Sequence, residues 1–379
     1  MPLGNGVNLQ PSYYNSGDVH FGWDLMRANN NIKTVRIEIE PNRVDKATGW
    51  IQQACGQGLD VIATYHKFAV LGTNRAAELA AAANWWQRNY QALLTQAASY
   101  TVRSGDTLSA LAQTYYGDAS LYPLIADANA SITDPNVIRV GQTLSIPARN
   151  RSITINLMNE WGNHNLTAVD YANAYNGALG MVRGVYSGQI IIDVPGWGQE
   201  TAIAASAVKG YRTGGISITD ANICLSVHIY RQAYIQNKRG SSRRRHGAMV
   251  RRDLDDLAST DRPCIVGEFG PGGPGQSDWS ALVDHAKSLN WPVLGWAWNG
   301  DGGQMNMVTP AWSGNPRATS FSTSTYFNQI YAKLQGVLVR RWLDRMDVLG
   351  LADPANAQQE AQEGEIGRAT VLRVSRRSD

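Results

Sequence analysis

Two short stretches of the 379-residue chain combine a buried-strand pattern with a carboxylate at its end. Ile153-Thr154-Ile155-Asn156-Leu157 is β-rich and apolar, and it runs into Asn159-Glu160-Trp161-Gly162. Pro263-Cys264-Ile265-Val266-Gly267-Glu268-Phe269-Gly270 repeats that form. Carboxylates are rarely buried without a partner, so an acid at a strand end marks either a salt bridge or a chemical task. Two strands that each deliver one glutamate supply the pair that a two-carboxylate glycosidase requires. In that reading Glu160 protonates the leaving oxygen and later activates water, while Glu268 attacks the anomeric carbon. Asn159 holds the sugar 2-hydroxyl. Arg36 keeps Glu268 ionised, because a nearby cation lowers a carboxylate pKa, and Tyr230 donates to the same group. His66 and His228 line the subsite around the cleaved bond, with His228 and Tyr230 on one face of a strand end because they are two apart. The same spacing puts Trp296 and Trp298 on one face, so that one floors the sugar and the other packs below it. Trp197 and Trp161 follow strand ends and are candidate sugar-facing rings, whereas Trp85 and Trp86 lie in a helical stretch and read as packing.

These residues need a scaffold that brings several strand ends to one place. Strand-like runs recur at Gly6–Leu9, Thr34–Glu38, Leu59–Tyr65, Ile153–Leu157, Gln189–Asp193, Ile223–Tyr230, Pro263–Glu268 and Pro292–Trp298. They are continuous apolar runs rather than alternating ones, the pattern of parallel strands covered on both faces. The segments between them behave as helices. Thr167 and Asp170 form a capping signal, and Ala172, Tyr175, Leu179 and Val182 then repeat at helical spacing. Eight strands alternating with helices predict a (β/α)8 barrel, the α/β fold whose sites lie at the C-terminal strand ends. Arg36, His66, Asn159, Glu160, His228, Tyr230 and Glu268 all fall at such ends.

Composition narrows the alternatives. A formal charge of +3 is too small to argue for nucleic acid, and seven basic residues without an acid are concentrated in Lys238–Arg252. Three cysteines, Cys55, Cys224 and Cys264, cannot build a disulfide framework. No run of about 18 apolar residues predicts a membrane span. The histidines at 20, 164, 246 and 285 lack metal-ligand spacing, so neither a metal nor a cofactor is expected. The first residues do not read as a signal peptide, so either the chain is intracellular or, as a secreted or cell-wall-associated protein, it has lost its leader.

Between Ala98 and Arg151 the alternation breaks. Tyr100-Thr101-Val102-Arg103-Ser104-Gly105-Asp106-Thr107-Leu108 and Val140-Gly141-Gln142-Thr143-Leu144-Ser145-Ile146-Pro147 bracket two helical segments. Both end motifs resemble the LysM module, here a small βααβ domain at 99–148, inserted before the fourth barrel strand. The expected barrel then occupies 1–98 and 149–335. A polar stretch at 336–379 is expected to be a disordered C-terminal extension. Asn-Glu after strand four, His-x-Tyr at strand six and Gly-Glu-Phe-Gly after strand seven resemble glycoside hydrolase family 5. Val194-Pro195-Gly196-Trp197-Gly198-Gln199 and Gly295-Trp296-Ala297-Trp298 are similar to its endo-β-1,4-mannanase branch. That resemblance implies a retaining mechanism on β-mannan, with endo-β-1,4-glucanase or a non-catalytic wall-binding protein as alternatives. Many members have proline after the acid glutamate, where this chain has Trp161. The LysM resemblance implies binding to N-acetylglucosamine polymers, peptidoglycan or chitin, by a protein expected to be monomeric.

Overall fold

A computed structural model describes residues 3–94, 98–116, 118–147, 153–238 and 245–336. The expected C-terminal extension beyond residue 336 and the tip of the basic stretch, 239–244, lie outside the described residues.

Eight parallel strands close a barrel in chain order: β1 (Gly6–Leu9), β2 (Thr34–Ile39), β3 (Asp60–Tyr65), β4 (Ile153–Asn156), β5 (Ile190–Asp193), β6 (Ile223–Tyr230), β7 (Cys264–Gly270) and β8 (Val293–Asn299). β8 returns to β1 through Gly6–Leu294 and Val7–Gly295 pairs. The (β/α)8 reading of the sequence is therefore correct, and its physical basis is the double burial of these strands. Val35, Val61, Ile155, Ile192, Val227, Val266 and Phe269 face the surrounding helices and belong to one large apolar core. Ile62, Ile191, Cys224, Ile265 and Leu294 face inward and plug the N-terminal end of the barrel. Further along the same strands the inward positions turn polar: Asn8, Arg36, Asn156, Asp193, Ser226 and His228 are all fully buried. The apolar plug seals one end, and the polar layer above it faces the C-terminal mouth.

Helix Ala168–Arg183 begins where the capping signal predicts, with the Thr167 hydroxyl accepting from the Asp170 N–H at 3.1 Å. Trp85 and Trp86 pack beneath the strands, their indoles bonded to the Pro41 and Leu157 carbonyls.

The insert leaves the barrel after helix Ala76–Leu94 and returns at β4, on the N-terminal side. Its strands Ala98–Thr101 and Thr143–Ile146 pair antiparallel around helices Leu108–Tyr116 and Tyr122–Asp127. Val102, Leu108, Leu111, Ala112, Tyr116, Ile125, Leu144 and Ile146 form a core of its own. It also touches the barrel. A Cβ at Gly56 would come within 1.6 Å of the Tyr115 carbonyl oxygen, and Gln57 donates to the Thr114 carbonyl at 3.3 Å. Only a glycine at that helix end permits so close a backbone approach.

Candidate active site

Glu160 and Glu268 reach the mouth by different backbone devices. Glu160 stands just past β4 in a left-handed conformation (φ +48°), which a side chain other than glycine's adopts only when held. Two hydrogen bonds hold it. Its N–H donates to Asp193 Oδ2 at 2.9 Å, and its carbonyl accepts from the Gly72 N–H at 2.8 Å. Asn156 Nδ2 fixes the other oxygen of Asp193 at 3.2 Å.

Glu268 lies inside β7, where strand parity alone would turn it toward the helices, since Ile265 already faces inward. A register irregularity corrects this. Val266 pairs with Val227, but Glu268 pairs with His228, so Gly267 is the extra residue of a bulge. A side chain at Gly267 would meet Ser226 Oγ at 2.2 Å. The missing Cβ lets the strand buckle and returns Glu268 to the inward face.

The two carboxylates meet over His228. Its Nδ1 lies 2.9 Å from Glu160 Oε1 and 3.6 Å from Glu268 Oε1. One oxygen of each carboxylate and a His228 nitrogen lie within 4.8 Å of one another. Glu268 also accepts from Arg36 Nη1 at 2.9 Å and from the Tyr230 hydroxyl at 2.7 Å. Arg36 is fully buried and organises the floor of the site. It donates to Asn8 and Glu38 at 2.9 Å, to Asn156 at 3.0 Å, and to the side-chain oxygen of Asn159. Asn159 Nδ2 in turn lies 3.0 Å from His66 Nδ1, which is 3.1 Å from Glu38 Oε2.

Three carboxylates, Glu38, Asp193 and Glu268, lie within 3.8 Å of the one Arg36 guanidinium, and Glu160 adds a fourth beside His228. Burial drives the Glu268 carboxyl up to about 7, against the pull of His228 and Arg36. Arg36 thus touches Glu268 as expected, but desolvation outweighs its effect on ionisation. Burial works to lower His228, yet Glu268, Asp193 and Glu160 outweigh it and hold the imidazole at about 9. Glu38 goes the other way. Desolvation would raise it, but His66 and Arg36 bring it down to about 2.

Trp296 is half-buried in β8 and donates from its indole to Asp301 at 3.0 Å. Trp298 differs from it in burial. The pairing of β8 with β1 is irregular between Val7–Gly295 and Leu9–Asn299, around the two rings. Trp298 is fully buried against Phe327, with its indole on the Phe21 carbonyl, and cannot touch a ligand. Its expected sugar contact is corrected accordingly. Trp161 is also core, packed on Tyr171 and Tyr175. Trp197 remains 37% exposed at the rim after β5, itself left-handed (φ +54°) and lying against Gly72.

The sequence reading missed Glu38, Asp193, Asn8 and Asn156 as members of this network. Their signal was present, since each is a polar residue inside an otherwise apolar strand, two positions from another inward-facing one.

Comparison with known proteins agrees with this architecture. Residues 100–147 match the LysM domain, and residues 145–302 match the cellulase family, glycosyl hydrolase family 5. A mannan endo-1,4-beta-mannosidase of Streptomyces lividans is 31% identical over 156 residues, 40% of this chain and 36% of that protein. The esterase Rv1288 of Mycobacterium tuberculosis is 70% identical over 47 residues, 12% of this chain and 10% of that protein. The chain thus spans about a tenth to a third of these relatives' lengths. The catalytic domain of a mannanase from Streptomyces sp. SirexAA-E superposes with a TM-score of 0.55 at 15% identity, covering 89% of this chain and 86% of that one, which shows a shared fold. Residues 145–302, which hold β4 to β8 of the barrel, thus carry the match to glycosyl hydrolase family 5, and the element set in before β4 carries the match to the LysM domain.

Proposed function

We propose that the barrel is a retaining endo-β-1,4-mannanase acting by double displacement, and that the LysM domain binds N-acetylglucosamine polymers of cell walls. The observation that carries the mechanism is the close approach of two carboxylates of unequal environment. Retaining glycosidases hold their pair at about 5–5.5 Å, too close for a water to fit between, and oxygens within 4.8 Å here suit that class. Glu268 attacks the anomeric carbon while Glu160 gives its proton to the departing oxygen. The glycosyl ester on Glu268 then breaks as water adds to the same carbon and passes a proton back to Glu160. Arg36 and Tyr230 aim the nucleophile, Asn159 takes the 2-hydroxyl, His66 and His228 line the cleaved bond, and Trp296 floors the sugar. Trp197 offers a further stacking face.

The mannan assignment is supported by the similarity to the Streptomyces mannosidase. Endo-β-1,4-glucanase is the second reading, supported by the cellulase family match over β4 to β8. The wall-binding domain is consistent with a secreted or wall-associated enzyme, monomeric and acting on insoluble glycan. It would raise local concentration without altering the chemistry.

The test is reducing-sugar release from galactomannan, carboxymethylcellulose, chitin and purified peptidoglycan by wild type and Glu268→Gln. Mannan-selective release that falls on the order of ten-thousand-fold in the variant is the expected result. Release from cellulose instead moves the substrate to glucan, and no release from any of the four removes the enzymatic reading. Binding of the inactive variant to peptidoglycan or chitin, weakened when residues 100–147 are mutated, tests the LysM part.

A further inference from the structure

Past β8 the chain folds residues 300–306 into a tight loop around two of its own side chains. Asn306 Oδ1 accepts from the Gly300 and Asp301 N–H groups at 2.9 Å each, and its Nδ2 donates to the Asp301 and Gly303 carbonyls at 3.0 and 3.2 Å. Asp301 Oδ2 accepts from the Gly303 and Met305 N–H groups at 2.8 and 3.0 Å. One carboxylate oxygen therefore shapes the loop. The other, Oδ1, turns out of the loop and accepts from the Trp296 indole N–H at 3.0 Å. Hydrogen bonds to an ionised acceptor are stronger than those between neutral groups.

Trp296 is the only position of β8 that is not buried. Its backbone is pinned from both sides. The Trp296 carbonyl accepts from the Tyr326 hydroxyl, the Ala297 N–H donates to the Met305 carbonyl at 2.9 Å, and the Met307 N–H donates to the Ala297 carbonyl at 2.9 Å. A fixed backbone does not fix the ring, which still turns about its side-chain torsions. The indole carries one polar atom, a donor, so a single acceptor can set its plane. Asp301 is that acceptor. The ring also adjoins the nucleophile's strand. A Cβ at Gly270, two residues past Glu268, would lie 2.9 Å from the Tyr326 hydroxyl, 3.5 Å from the Tyr230 ring and 3.6 Å from the Trp296 carbonyl.

We propose that Asp301 is a positioning residue that fixes the plane of the Trp296 ring, and through it the sugar that Glu268 attacks. The proposal rests on the double-displacement reading above, in which Trp296 floors that sugar. Asp301 acts through the indole rather than on the reacting atoms. Because one carboxylate bonds both the loop amides and the indole, the fold of the loop and the tilt of the ring are set together. A ring free to tilt leaves the anomeric carbon off the line of attack, and small misplacements at a reacting centre cost large factors in rate.

The experiment is a double-mutant cycle on galactomannan, or on carboxymethylcellulose if that is the polymer cleaved, with Asp301→Ala made in wild type and in Trp296→Phe. Phenylalanine keeps a ring but has no N–H to give to Asp301. In wild type, Asp301→Ala is expected to lower kcat/KM about tenfold, the scale of one hydrogen bond to a charged group. In the Trp296→Phe background the fall should be less than about twofold. Equal falls in both backgrounds, or no fall in wild type, overturn the proposal, because a residue that only folds the loop acts whichever ring is present. Thermal melting establishes that each protein is folded at the assay temperature. If the alanine variant is not, Asp301→Asn takes its place with the same outcomes, since it keeps the size but offers one acceptor oxygen to three donors. If wild type cleaves neither polymer, the mechanism reading has failed, and the cycle is read instead as affinity for mannohexaose by calorimetry. About tenfold weaker binding confined to the protein that keeps Trp296 then supports the proposal. Equal loss, no loss or absent binding overturns it.

Discussion

The ends of β4 and β7 each present a glutamate to the same histidine, yet they achieve it in opposite ways. At β4 the strand ends first, and Glu160 is turned inward by a left-handed residue pinned between Asp193 and Gly72. At β7 the strand continues, and a bulge at Gly267 changes which face Glu268 occupies. The first device leaves the carboxylate partly open, which is the access that its proposed role as proton donor to a leaving group requires. The second keeps Glu268 96% buried, between a guanidinium and a phenol, where its position is fixed and its charge is costly. The difference teaches that a shared end point says little about the backbone that reaches it. In the proposed mechanism the acid needs access, whereas the nucleophile needs aim.

The contrast can be broken at either side. Glu160→Gln should lower mannan hydrolysis by about a hundred- to ten-thousand-fold. The loss should shrink sharply for dinitrophenyl glycosides, whose leaving group needs no proton, in assays of the first step. A similar loss on both substrates would remove Glu160 from the acid role. Gly267→Ala attacks the other device. Its Cβ would drive into Ser226, so we expect a destabilisation of about 1–3 kcal/mol by thermal melting, together with a fall in kcat from a displaced Glu268.

Tyr230→Phe sharpens the electrostatic half of the comparison. The phenol donates to the charged form of Glu268, so losing it favours the neutral acid. On the proposed mechanism Glu268 attacks as the carboxylate, so kcat/KM should fall as pH drops below about 7 in wild type. In the variant this acidic limb should move to higher pH, with roughly a tenfold loss near neutrality. A limb that stays in place would show that another group controls it.

The smallest effect is on stability. His228 is held at about 9, above its unfolded value of 6.5, so its stabilisation is complete below pH 6.5 and lost as pH rises through 9. Glu268, raised above 4.5, acts in the same direction between pH 4.5 and about 7. Glu38, held at about 2, acts oppositely, and its contribution disappears as pH falls from 4.5 toward 2. Calorimetry of wild type should therefore give a melting temperature that declines by a few degrees from pH 6.5 to 9. In His228→Asn that slope should flatten.

Much of this was legible without coordinates. The strand runs from Gly6 to Trp298, the capped helix after Thr167 and the interrupted rhythm between Ala98 and Arg151 all report local burial and propensity, which the chain encodes residue by residue. The tryptophans were less legible. Trp161 and Trp298 follow or end strands just as Trp197 and Trp296 do, yet the first two are core and the others reach the rim. Nothing local separates them, because the outcome depends on which helix or loop packs opposite.

From the sequence alone came the barrel order, the LysM insert and the pair of strands that each deliver a glutamate, because periodicity and residue type survive translation into structure. Only the tertiary structure decided that Gly267 bulges, that Glu160 is left-handed, that Asp193 and Glu38 join the polar floor, and that Glu268 is pushed toward neutrality. Each of these depends on groups distant in the chain, such as Ser226 against Gly267 and Asp193 against Glu160, and their positions are set by barrel closure rather than by neighbouring residues.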